Sequence, residues 1–110
     1  MSHLFILDQN RKIIAAEDVL EWAKWFEKAD RVVAQEMVGD IMVSTVFLGV
    51  GHLWNGGYSD WGFYFESATQ SRDEGWDILN RYKTYDEAEQ GHKDIVQSLQ
   101  KEAENGNYQG

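Results

Sequence analysis

Nineteen acidic residues against ten basic ones in a chain of 110 leave a net charge of −9. That excess argues against nucleic acid or an anionic membrane as a partner, and suits solubility or a basic protein surface. The chain has no cysteine, which excludes disulfides, thiolate metal sites and a cysteine nucleophile, and is compatible with a cytoplasmic home.

Five Trp, five Tyr and five Phe within a 43% apolar composition are too rich for disorder and enough for one modest core. A single α+β domain over residues 1–104 is expected, with residues 105–110 as a flexible C-terminal tail. The apolar run Leu4-Phe5-Ile6-Leu7 stops at Asp8, so no secretion signal is read there. The longest stretch without a formal charge, 41–59, is broken by glycines, Ser, His and Asn, so no membrane span is read either.

In chain order, residues 4–7 and 12–15 flank Asp8-Gln9-Asn10-Arg11 and predict a short hairpin. Residues 17–30 predict a helix: Val19, Leu20, Trp22, Ala23, Phe26 and Ala29 recur at spacings of three and four, and Trp25 falls off the centre of that stripe. Residues 31–38 predict a strand, and Gly39-Asp40 a two-residue turn of type II′. Pairing across it sets Met37 beside Met42, Gln35 beside Ser44 and Val33 beside Val46.

The run Val43-Ser44-Thr45-Val46-Phe47-Leu48-Gly49 is β-branched or aromatic on both faces and predicts a central strand covered on both sides. A Gly- and aromatic-rich loop follows, then a strand over 61–69. The expected helix-packing face carries Met42, Val46, Leu48, Val50, Trp61, Phe63 and Phe65, with Thr45, Phe47, Tyr64 and Glu66 on the other. Residues 71–77 read as a charged turn and 78–83 as a short strand. Thr84 and Glu87 form a capping signature for a second helix to about residue 104, with Ala88, His92, Ile95, Leu99 and Ala103 inward. The fold class is α+β, a mostly antiparallel sheet of about four strands packed by two helices.

Three polar residues stand where apolar ones would be easier. His92 lies on the apolar stripe of the second helix, either as a structural histidine bonded to a carbonyl or hydroxyl, or as a ligand-binding or acid–base group. His52 ends the central strand beside Gly51, where loop-borne binding residues are common. Glu66 interrupts the apolar run 61–65 and has Arg81 as its expected partner. Together His52, Glu66 and His92 form a candidate ligand-binding set whose donor types suit zinc, but they lie on separate elements and share no local metal motif. No metal, cofactor or catalytic residue is assigned. Trp54 and Tyr58, in the aromatic loop, are the candidate interaction surface.

These residues also carry a resemblance. Val43-Ser44-Thr45-Val46-Phe47-Leu48-Gly49 with His52 close behind, Phe65-Glu66-Ser67, Arg81-Tyr82-Lys83-Thr84 and Glu87-Ala88-Glu89-Gln90-Gly91-His92, with Trp25-Phe26-Glu27 upstream, resemble a family of small phage and prophage proteins of unknown function. Val50-Gly51 departs from the Leu-Asp that its members tend to carry before the histidine. The resemblance implies a cytoplasmic accessory protein of a bacterial host and brings no activity with it. The reading is a non-enzymatic interaction module acting on a host component, with no nucleic acid and no membrane as partner. The alternative is a small-molecule or metal-binding protein built on His52, Glu66 and His92.

Overall fold

The computed structural model describes residues 4–52, 62–71 and 74–104. Their elements run β1 (Phe5–Leu7), β2 (Ile13–Ala15), α1 (Val19–Lys28), β3 (Val32–Val38), β4 (Ile41–His52), β5 (Phe63–Ser71), β6 (Asp77–Tyr82) and α2 (Tyr85–Glu104). Strands β3-β4-β5-β6 form one antiparallel sheet in sequence order, and β1-β2 a separate ribbon joined to the end of β4 through a Leu4–Val50 bridge. Helix α2 crosses all four strands of the larger sheet. The architecture is α+β, as the element order predicts.

Local chemistry sets most of the boundaries. Asp8 Oδ1 accepts the Asn10 and Lys12 amides at 2.7 and 3.0 Å, closing the first hairpin. Asp18 caps α1 by accepting the Glu21 amide at 2.8 Å. Thr84 Oγ1 accepts the Glu87 amide and donates to the Glu87 carboxylate, each at 3.1 Å, so the capping pair is in place. Gly39 takes φ +62 while Asp40 stays out of the left-handed region, the first-residue pattern of a type II′ turn. Across it Met37 meets Met42 and Gln35 meets Ser44, as expected.

Three expectations need correction. First, Val46 is opposite Val32, not Val33, because β3 carries a bulge before Ala34. The extra residue turns Val33 against the core, and the Phe47 amide bonds Arg31 O at 2.8 Å. Second, the face that β4 turns to the helix is the other one, while Phe65 of β5 lies on that side as expected and Glu66 lies away from it, opposite Val46. Phe47 pairs with Phe65 and Thr45 with Ser67, and Val43, Thr45, Phe47, Phe65 and Ser67 are all fully buried. Met42, Ser44, Val46 and Leu48 are only half-buried, so β4 is closed on one side and open on the other.

Third, α1 keeps Trp22 and Phe26 inward as expected, but adds Trp25 to them and leaves its first apolar pair outside. Trp25 stands edge-on to Phe47, with ring centres 5.6 Å apart, while Val19 and Leu20 are 67% and 64% exposed. Gly49 explains the choice. It takes φ +79, and a Cβ there would lie 2.6 Å from the Phe26 ring and 3.1 Å from Trp22 Nε1. The missing side chain lets α1 close on β4, and Trp22 Nε1–H donates to Gly49 O at 3.1 Å.

Two apolar clusters lie under α2. Phe47, Phe65, Tyr82 and Ala88 form one; Val38, Val43 and Val96 form the other. Each buried Phe contributes about 2–3 kcal/mol by removal from water. Between the clusters the interior is polar.

Candidate functional site

That polar interior is a chain of five side chains drawn from β3, β4, β5, β6 and α2. Tyr82 O–H donates to Ser67 Oγ at 3.0 Å, and Ser67 Oγ lies 2.5 Å from Thr45 Oγ1. Thr45 Oγ1 is 2.8 Å from His92 Nδ1, and His92 Nε2 is 2.9 Å from Glu36 Oε1. Ser67, Thr45 and His92 are buried, while half of the Glu36 side chain reaches solvent. Alternation along the strands produces this convergence: Glu36, Thr45, Ser67 and Tyr82 all point to the α2 side of the sheet.

One orientation of the donors uses every group. Tyr82 donates to Ser67, Ser67 to Thr45, Thr45 to Nδ1 of a neutral His92, and Nε2–H to the Glu36 carboxylate. Among the described residues no buried side-chain nitrogen or oxygen lacks a partner, so burial here carries little desolvation penalty.

Gly91 makes room for the Tyr82 end. A Cβ at Gly91 would fall 2.3 Å from three atoms of the Tyr82 phenol. A glycine inside a helix costs about 1 kcal/mol relative to alanine, and here it lets the phenol lie against the helix backbone. The pair Gly91-His92 thus places both ends of the polar chain from adjacent residues.

Carboxylate, imidazole and hydroxyl in series share their order with a hydrolase relay, yet the hydroxyl here cannot attack anything. Thr45 has no exposed surface, and its oxygen is held between Ser67 and His92. The arrangement supports a polar brace between sheet and helix.

Two members of the candidate ligand set, Glu66 and His92, are not brought together. Glu66 lies opposite Val46 on the open face and receives Arg81 Nε–H at 3.1 Å, an ion pair across neighbouring strands as expected. His92 lies on the covered face, on the far side of the sheet from Glu66. The backbone of His52 pairs with Phe63 at the end of β4; its side chain falls outside the described residues, as do Trp54 and Tyr58. Among the described residues no group of three or more His, Asp or Glu side chains is placed to hold a metal ion.

Sequence reasoning missed Thr45 and Glu36 as the partners of His92, and Ser67 and Tyr82 as the continuation of the chain beyond Thr45. The one available signal was the adjacent pair Gly91-His92, a poor helix former followed by a polar ring on an apolar stripe. The expected strand over 78–83 includes Ile78 and Leu79, but the sequence gives no sign that they, and Trp76 just ahead of the strand, stand exposed.

A cleft of about 430 Å³ lies where the first hairpin, α1 and the start of α2 meet, walled by Trp25 and Tyr85 and flanked by Asp8, Asp30, Arg11 and Arg31. Its charges are already engaged. Asp30 Oδ1 accepts the Val32 amide at 3.1 Å, Arg31 stacks 3.8 Å over Phe26, and Arg11 lies 4.8 Å over Tyr85. No helix is long and apolar enough to cross a membrane among the described residues. Comparison with protein-family models, with curated proteins and with solved structures gave no match.

Proposed function

We propose that this chain is a small phage-type accessory protein, cytoplasmic in a bacterial host, that works as a non-enzymatic interaction module on a host component. The observation that supports it is a division of labour among side chains. The buried polar groups bond one another, whereas the apolar pair Val19-Leu20 stands in solvent at the start of α1. Exposed apolar side chains beside acidic ones suit a partner whose surface is apolar and basic. Trp54 and Tyr58 belong to the same proposal, because aromatic side chains bury large areas at little entropic cost.

Affinity capture from a bacterial lysate tests this reading. The wild-type chain is compared with Leu20→Asp, Trp54→Ala and Tyr58→Ala variants whose thermal midpoints match it. A retained partner that is lost with at least one of these changes supports the proposal. Retention of nothing, or equal retention by all four proteins, rejects it.

A further inference from the structure

With no cysteine in the chain, its sulfur chemistry falls to three methionines. Met1 lies outside the described residues; Met37 and Met42 are direct partners across the β3–β4 hairpin. Alternation along β3 turns Glu36 toward α2, and Gln35 and Met37 toward the open face that Met42 shares. Cross-strand partners carry their Cβ atoms about 5 Å apart, so the two thioethers occupy one patch of the sheet.

The fold treats the two sulfurs differently. Met37 is 55% exposed, on the first strand of the sheet order. Met42 is half-buried between β3 and β5, with Gln70 as its partner on the other side. Its sulfur is also in use: Gln35 Nε2–H donates to Met42 Sδ at 3.5 Å. A thioether is a weak acceptor, but the electrons that accept this hydrogen are the ones an oxidant must reach. The bond lowers their nucleophilicity and closes one line of approach. Exposure and lone-pair availability therefore both favour Met37, although the two side chains have the same intrinsic chemistry.

We infer that Met37 is an oxidation site of this protein, converted to its sulfoxide by hydroperoxides, while Gln35 guards Met42 beside it. In the step the Met37 sulfur lone pair attacks the distal peroxide oxygen. An S–O bond forms and the O–O bond breaks. The proton of the distal oxygen passes to the departing one, which leaves as an alcohol or water. The sulfur gives up two electrons and the peroxide takes them. The product is a polar side chain in place of a flexible apolar one, and methionine sulfoxide is open to enzymatic reduction. Glu36 and its bond to His92 lie on the other face of β3, so the change leaves the brace in place. The inference stands apart from the interaction-module reading: failure to capture a host partner would leave it intact, and equal oxidation of the two sulfurs would leave that reading intact.

Timed exposure of the folded chain to hydrogen peroxide, with sulfoxide located by fragmentation mass spectrometry, tests it. Met37 should oxidise faster than Met42 by about fivefold or more, and the two rates should converge in concentrated urea. Gln35→Ala should raise the Met42 rate by about twofold or more and leave the Met37 rate unchanged. Gln35→Glu, whose carboxylate has no hydrogen to donate, should do the same and serves if circular dichroism shows Gln35→Ala unfolded. Equal rates in the folded wild type overturn the inference. So does a difference that persists in urea, or a Met42 rate that neither Gln35 change raises, or one that rises only together with that of Met37.

Discussion

The two faces of the central sheet solve the same problem in opposite ways. On the covered face, five polar side chains from five elements bond in series beneath α2, and the ring of His92 is almost wholly enclosed. On the open face, Glu66 and Arg81 form one ion pair among half-buried apolar residues, with water still at hand. Neighbouring residues of β4 and β5 feed both, since Thr45 and Ser67 point one way and Val46 and Glu66 the other. The contrast teaches where stability resides. A buried polar group bound only to protein loses its partner without replacement, whereas a group near the surface is rescued by solvent.

The largest expected effect comes from the covered face. Phe47→Ala should cost about 3–5 kcal/mol, because both the ring and its contacts with Trp25 and Phe65 are lost; urea denaturation followed by tryptophan fluorescence measures it. Gly91→Ala sets two terms against each other. Helix propensity gains about 1 kcal/mol, while overpacking against Tyr82 costs about 3 kcal/mol, so a net loss is expected. Adding Tyr82→Leu to Gly91→Ala should recover stability, and a double-mutant cycle that shows no such coupling would break the argument for Gly91.

Thr45→Val keeps the shape but removes the central hydroxyl, which strands Ser67 and His92. A destabilisation of about 1–3 kcal/mol is expected in the same denaturation assay. On the open face, a double-mutant cycle on Glu66→Gln and Arg81→Met should yield a coupling of about 1 kcal/mol or less. A larger value for this pair than for Thr45 would reverse the ranking of the two faces. The smallest expected response is to zinc: with Glu66 and His92 on opposite sides of the sheet, the thermal midpoint should not rise on adding Zn²⁺, and a rise abolished by Glu66→Gln would contradict that separation.

What could be read from the sequence was what is decided locally. The Asp8 hairpin, the Gly39-Asp40 turn, the Thr84 cap and the Glu66–Arg81 pair each depend on short-range chemistry or adjacent strands, and each appears as expected. The buried face of β4 was not legible, because Val43-Thr45-Phe47 and Met42-Val46-Leu48 are both apolar enough to be inside. A long-range register decides between them, and that register shifts between Phe47 and His52, around Gly49. Residues 19–29 posed a similar ambiguity, since two overlapping apolar stripes fit one helix. The close approach of Trp22 and Phe26 to Gly49 selects the aromatic stripe. The polar brace was the least legible feature: its hydroxyls look like ordinary strand residues, and only three-dimensional pairing links them in series to one histidine.

The brace also fixes when the molecule can be finished. The Thr45–His92 and His92–Glu36 bonds span 47 and 56 positions, so a growing chain on the ribosome holds its sheet hydroxyls wet until the last helix has emerged. The covered face therefore closes in one late step that needs residue 92, and a chain cut ahead of that residue would leave it unsealed.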